Sequence, residues 1–224
     1  MSIESWGKFH QDRIQSNYPL WPSEAMVKVL FGNYLENKPR LERGMRVLDV
    51  GCGFGNNLLP FYVKGLNCFG CEISSDIIDI VKKALAERSM SEVDLAVGES
   101  RKLPYPDNYF DLLISNNVVH YEGSEENIIG ALAEYRRVLK TEGSLFLMTT
   151  GPEHTIYQTA QFLGGHRFQV SNYDFRNGEI YFYFDNEKKL KFYLDKFYRK
   201  VETGRLQEKL MKFNLDFFIA HAYK

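Results

Sequence analysis

Short unbroken apolar runs alternate along the chain with stretches whose apolar residues recur every three or four positions. This order predicts buried parallel strands separated by helices. Val47, Leu48 and Val50 form the first run, opened by Gly44 and followed by Gly51, Gly53 and Gly55. A second strand covers roughly residues 67–71 and ends at Glu72; a third covers 93–97, a fourth 110–115 and a fifth 145–149. Between the first two, Leu58 and Leu59 suggest a helix beginning near Asn56 or Asn57. Ser74, Ser75 and Asp76 start another that runs to about residue 89, with Ile77, Ile80, Val81, Ala84 and Leu85 on one face. Residues 125–139 form a further helix with Ile128, Leu132, Tyr135 and Val138 inward, and Arg136, Arg137 and Lys140 near its C-terminal end complement the helix dipole.

Both flanks depart from this rhythm. Residues 1–43 predict a helical cap: Trp6, Phe9, Tyr18 and Trp21 cluster early, and Pro22, Ser23 and Glu24 lead into an amphipathic helix carrying Val27, Leu30, Phe31 and Leu35. Residues 151–178 break the periodicity and form a probable insertion in the main domain, which spans 44–224. Residues 180–184 are strand-like. Asp185, Asn186 and Glu187 then cap a helix with Leu190, Tyr193, Leu194 and Phe197 inward. Residues 201–206 and 215–222 close the chain as two strands, with His221 turned away from the chemistry.

The glycines at 51, 53 and 55 make a turn that only residues without Cβ adopt cheaply, and that lets a ligand approach the backbone. The helix start behind it favours negative charge. Glu72, seventeen residues after Gly55, stands at the tip of the neighbouring strand, placed to accept hydrogen bonds from a ribose diol. The turn therefore predicts a nucleoside site, against the plainer reading of a βα turn with no ligand. A dinucleotide fingerprint would need glycine at position 56, which is Asn56. Asp49-x-Gly51-x-Gly53-x-Gly55 instead resembles the first motif of the class I S-adenosylmethionine-dependent methyltransferases of small-molecule type.

That resemblance is strong over about residues 45–150. It implies a Rossmann-like, doubly wound α/β fold: a seven-stranded sheet, mostly parallel with an antiparallel final strand, and helices on both faces. It implies S-adenosylmethionine as cofactor, with S-adenosylhomocysteine as product. Asp49, Gly51, Cys52, Gly53 and Gly55 would surround the methionine part, and Glu72 and Ile73 the ribose. Glu99 would accept from the adenine amino group, where many relatives carry Asp, and the Ser100 N–H would meet a ring nitrogen. Asn116, at the end of the fourth strand, would meet the cofactor's ammonium group. In similar enzymes the leading segment folds over the cofactor; Tyr18 and Trp21 are the aromatics chosen for that role, against the reading that these rings pad an outer helix. Asn116-Asn117-Val118-Val119 lacks the two prolines found in enzymes that methylate nucleobase amines.

His120 is the histidine with a positional claim to act as base, taking a proton from a hydroxyl or amine; the alternative is a helix-start histidine bonded to backbone. The insertion commonly builds the acceptor pocket in this fold, which points to His154, Tyr157, His166 and Arg167 there, together with Trp21 and Tyr121.

Composition narrows the classes. With 224 residues, 44% hydrophobic and 25% charged, the chain has material for a sizeable core. A formal net charge of −1 without clustered Lys and Arg makes a nucleic-acid partner unlikely and favours a small-molecule acceptor. The absence of a long apolar run or a signal-peptide core leads to the expectation of a cytoplasmic protein with no membrane partner. Three cysteines make no disulfide framework. Cys68 and Cys71 lie inside a strand on opposite faces, unlike a redox pair, and no second pair completes a metal site. Methylation of a protein or RNA, a non-catalytic nucleoside-binding subunit and, more distantly, a nicotinamide dehydrogenase stay open as rivals, and the oligomeric state is open.

Overall fold

The computed structural model describes residues 3–16 and 20–224; Tyr18 lies outside them. The leading segment forms helices α1 (Ile3–Gln15) and α2 (Glu24–Phe31). Ser23 caps α2 by accepting from the Met26 N–H, as its position before Glu24 predicts. The central alternation follows as β1 (Arg46–Val50), α3 (Leu59–Val63), β2 (Asn67–Glu72), α4 (Ser75–Ala86), β3 (Asp94–Val97), β4 (Phe110–Asn116), α5 (Glu125–Val138) and β5 (Leu139–Thr150). Ser74 and Ser124 cap α4 and α5 through their hydroxyls.

After β5 come three short strands, β6 (Gln161–Gly164), β7 (Arg167–Gln169) and β8 (Ile180–Phe182), then α6 (Glu187–Leu194) and the long hairpin β9 (Arg199–Leu210) and β10 (Phe213–Tyr223). Seven strands make the main sheet in the order β3-β2-β1-β4-β5-β10-β9. Its first five strands are parallel, and β10 runs antiparallel between β5 and β9.

Strand alternation divides the core in two. Leu48, Val50, Leu113, Leu145 and Leu147 pack with α5 and α6 on one face. Val47, Leu112, Ile114, Phe146 and Met148 pack with α2, α3 and α4 on the other. Each such side chain contributes about 1.5–3 kcal/mol by leaving water. Cys68 and Cys71 fall into opposite clusters, and burial pushes both thiols up to about 12.

One boundary needs correction. The fifth strand begins at Leu139, not residue 145, because a bulge lets Leu139 pair with Phe110 before the register resumes at Ser144. Glu142 lies inside that strand in the left-handed region (φ 67°). Within the insertion and just after it, β6, β7 and β8 form a separate antiparallel sheet. Strands of three or four residues are too short for alternation to register.

Candidate active site

The carboxyl ends of β1, β2, β3 and β4 open into a cavity of about 640 Å³, a size usual for small-molecule sites. At one end lies the glycine turn. The N–H groups of Gly51 and Cys52 donate to the Cys71 carbonyl at 2.8 and 3.2 Å, which ties the turn to β2. Gly51 is left-handed (φ 63°), and a Cβ on it would stand 2.6 Å from Val118 Cγ2. Gly53 is also left-handed, but a Cβ there would meet nothing closer than His10 Nε2 at 3.9 Å. Glu72 spans turn and strand: the Gly53 N–H donates to Oε1 at 2.7 Å and the Ile73 N–H to Oε2 at 3.1 Å. Burial pushes its carboxyl up, and those two donors and His10 offset part of the shift. Each oxygen keeps a lone pair beyond the one it uses.

The opposite wall is aromatic. Phe9 of α1 stacks on Phe175 at 4.1 Å, and Trp6 sets its edge against Phe175 at 4.9 Å and Tyr121 at 5.4 Å. Arg176 and Asp174 pair beside these rings, with Nε to Oδ1 at 2.9 Å. His10 is buried on the same helix. Its Nδ1 lies 2.8 Å from the Trp6 carbonyl, which can only accept, so Nδ1 carries the proton and Nε2 is directed toward the glycine turn. At the third side Arg101 pairs with Glu122 at 2.9 Å, and Glu99 and Ser100 complete the wall.

Residues 48–147 match a family model described as a methyltransferase domain. The chain is 33% identical over 108 residues to the ajmaline N-methyltransferase of Rauvolfia serpentina, covering 47% of this chain and 35% of that one. It is 32% identical over 116 residues to a tRNA (carboxymethyluridine(34)-5-O)-methyltransferase of Xenopus tropicalis, covering 52% and 17%. A solved S-adenosylmethionine-dependent methyltransferase from Methanosarcina mazei shares the fold with a TM-score of 0.68 at 21% identity, over 82% of this chain and 94% of that one. Residues 48–147 carry a methyltransferase domain by this match, in the fold seen in that S-adenosylmethionine-dependent enzyme. The chain spans well under two thirds of the length of these two curated relatives.

The methyltransferase cavity fits its cofactor on the features just described: an open place over Gly53 that a side chain would fill, a buried carboxylate with spare acceptor capacity, and enough volume. Of the residues expected around the cofactor, Gly51, Gly53, Glu72, Ile73, Glu99, Ser100 and Asn116 line this cavity, and so does Tyr121. Asp49, Cys52 and Gly55 do not. Asp49 is fully buried beneath the turn, where burial and the nearby Glu72 push its carboxyl well up. The Cys52 thiol packs against Gly70, and a Cβ on Gly55 would strike Leu85 of α4 at 2.7 Å.

His120 also lies off the cavity. It is buried between the Tyr121 and Tyr181 rings, with Nδ1 3.1 Å from Thr149 Oγ1. Burial, and secondly the charge of Arg176, hold its pKa well below the usual value, and it does not line the cavity. Trp21 is 75% exposed and faces solvent. His154 accepts from the Ile156 N–H, and the Tyr157 hydroxyl lies 2.7 Å from Thr150 Oγ1. His166 and Arg167 sit at the tip of the β6–β7 hairpin, away from the site. The insertion does supply wall, through Asp174, Phe175 and Arg176 on its return path. With Trp6, Phe9 and His10 these are among the lining residues that sequence reasoning did not assign. For Phe9 and His10 the signal was spacing: Trp6, Phe9, His10 and Arg13 fall on one helical face.

Proposed function

We propose that this chain transfers the methyl group of S-adenosylmethionine to an oxygen, nitrogen or carbon nucleophile of a small metabolite or biosynthetic intermediate by in-line displacement. One observation carries the reading: a single cavity joins the glycine turn and Glu72 at one end to an aromatic wall at the other. The bound cofactor supplies an electrophilic methyl group.

The chain's own residues then have three tasks. Gly51, Gly53 and Glu72 hold the nucleoside and amino-acid parts, with Ile73, Glu99, Ser100 and Asn116 around them. Trp6, Phe9, Tyr121 and Phe175 hold the acceptor and exclude water. Helix α1 covers the cavity as a cap. Orientation and exclusion of water can lower such a barrier by about 7–11 kcal/mol, so a dedicated base is not required. The tRNA methyltransferase among the relatives favours RNA as the second reading. Against it stand the net charge of −1 and a site walled in by α1.

Isothermal titration with S-adenosylmethionine and S-adenosylhomocysteine tests the cofactor end. A screen of small metabolites, tRNA and protein fractions for release of the demethylated product tests the acceptor. Micromolar binding with turnover only on small molecules is the expected result. Turnover on tRNA alone would select the second reading, and absence of cofactor heat would refute both.

A further inference from the structure

Arg176 enters the cavity from the return path of the insertion, with its side chain a quarter exposed (25%). Asp174 occupies one edge of its guanidinium: Nε donates to Oδ1 at 2.9 Å and to Oδ2 at 3.1 Å, and Nη2 donates to Oδ2. The Tyr121 hydroxyl also stands within hydrogen-bonding reach of the guanidinium, and the Nη1 donors on the opposite edge make no further hydrogen bond among the described residues. A guanidinium has five N–H donors in a fixed fork that matches a carboxylate, so this edge is a ready anion site.

The rings frame it. Arg176 lies over Tyr173 at 4.9 Å and Phe175 at 5.3 Å, and Phe175 in turn stacks on Phe9. Arg13 lies over the Phe9 ring at 5.1 Å and lines the same cavity. Glu122 on the adjoining wall is already paired with Arg101. The field of Arg176 is felt nearby: after burial, it is the second cause that holds His154 down at about 4.

We propose that the methyl acceptor is a carboxylate-bearing molecule with a flat apolar body, its carboxylate held by the outer edge of Arg176 and its body laid against Phe9, Phe175 and Tyr121. This inference rests on reading the cavity as a site for both S-adenosylmethionine and acceptor, and it adds the acceptor's charge.

The test titrates protein saturated with S-adenosylhomocysteine with matched probes: indole-3-acetate against indole-3-acetamide, and phenylacetate against phenylacetamide. Each acid should bind at least tenfold more tightly than its amide. In Arg176→Gln the preference should fall below threefold, with affinity for S-adenosylhomocysteine kept within threefold. The double variant Asp174→Asn/Arg176→Gln, which leaves no lone carboxylate to loosen the loop, should behave the same way, and Arg176→Lys should keep part of the preference. Equal binding of acids and amides, no binding of any probe, or a preference that survives Arg176→Gln would overturn the proposal. So would a selective loss of S-adenosylhomocysteine with unchanged affinity for methylthioadenosine, since Arg176 would then hold the cofactor's own carboxylate. Failure of the wild type to bind S-adenosylhomocysteine would instead strike the reading beneath it.

Discussion

The two ends of the cavity are built from different materials. At the glycine turn, the polar contacts run through backbone at strand tips: Gly51 and Cys52 to Cys71, and Gly53 and Ile73 to Glu72. Sheet register sets their positions, so that end is as rigid as β1 and β2. The aromatic end is built from side chains on α1 and on residues 174–176, which meet each other across the cavity by ring contacts. Such a wall can be rebuilt by substitution without disturbing the sheet. One end can thus remain constant while the other adapts to an acceptor.

The sharpest break in this comparison comes from Glu72→Ala. It removes a buried carboxylate and leaves the Gly53 and Ile73 N–H groups without their acceptor, at roughly 1.5–3 kcal/mol for each charged hydrogen bond. Calorimetry should show S-adenosylhomocysteine affinity reduced by about a hundredfold or more, since tenfold corresponds to about 1.4 kcal/mol. An affinity within fivefold of wild type would show that the backbone end does not carry the cofactor.

Acid should loosen the side-chain end first. His154 is held at about 4 against an ordinary 6.5, chiefly by burial, and His120 is shifted in the same direction. An unfolded chain binds these protons below pH 6.5 while the folded one does not. The stability they contribute is therefore complete above pH 6.5 and is lost as pH falls toward 4, by about 3 kcal/mol for His154 alone. Thermal unfolding at pH 7 and pH 4.5, with hydrogen exchange across residues 154–182, measures it. Exchange that quickens first in β1 and β2 would reverse the ranking of the two ends.

Phe175→Ala should cost less. It removes the stack on Phe9 and the edge of Trp6, about 0.5–1.5 kcal/mol beyond burial for each aromatic pair. Cofactor affinity should fall about three- to tenfold through a loosened α1, and acceptor binding should fall further. Equal losses for both ligands would mean that the ends are not separable. The smallest effect belongs to Trp21→Ala: a ring 75% exposed and off the cavity should change stability by no more than about 0.5 kcal/mol and leave cofactor affinity within twofold.

The backbone end was the more legible of the two. Alternate glycines followed by a strand-end acid constrain local geometry directly, so Gly51, Gly53 and Glu72 could be placed from their spacing. Gly55 obeys the same spacing but meets Leu85, because a pattern shows which residues need no Cβ and not what each one faces. His120, His154 and Tyr157 fall outside the cavity lining for a related reason. A histidine or tyrosine in a sequence has no declared surroundings, and all three are taken up by interior partners.

By itself the sequence determined the order of strands and helices outside residues 151–178, the caps at Ser23, Ser74 and Asn186, and the shape of the turn after β1. These follow from interactions among residues close together in the chain, whose cost and gain are set locally. Only the tertiary structure decided that Phe9 meets Phe175, that Arg176 turns one edge of its guanidinium to Asp174 and leaves the other to the cavity, and that His120 is sealed behind the wall. Phe9 and Phe175 are brought together by packing on a common sheet across more than a hundred and fifty residues of chain, and no local rule sets such a distance.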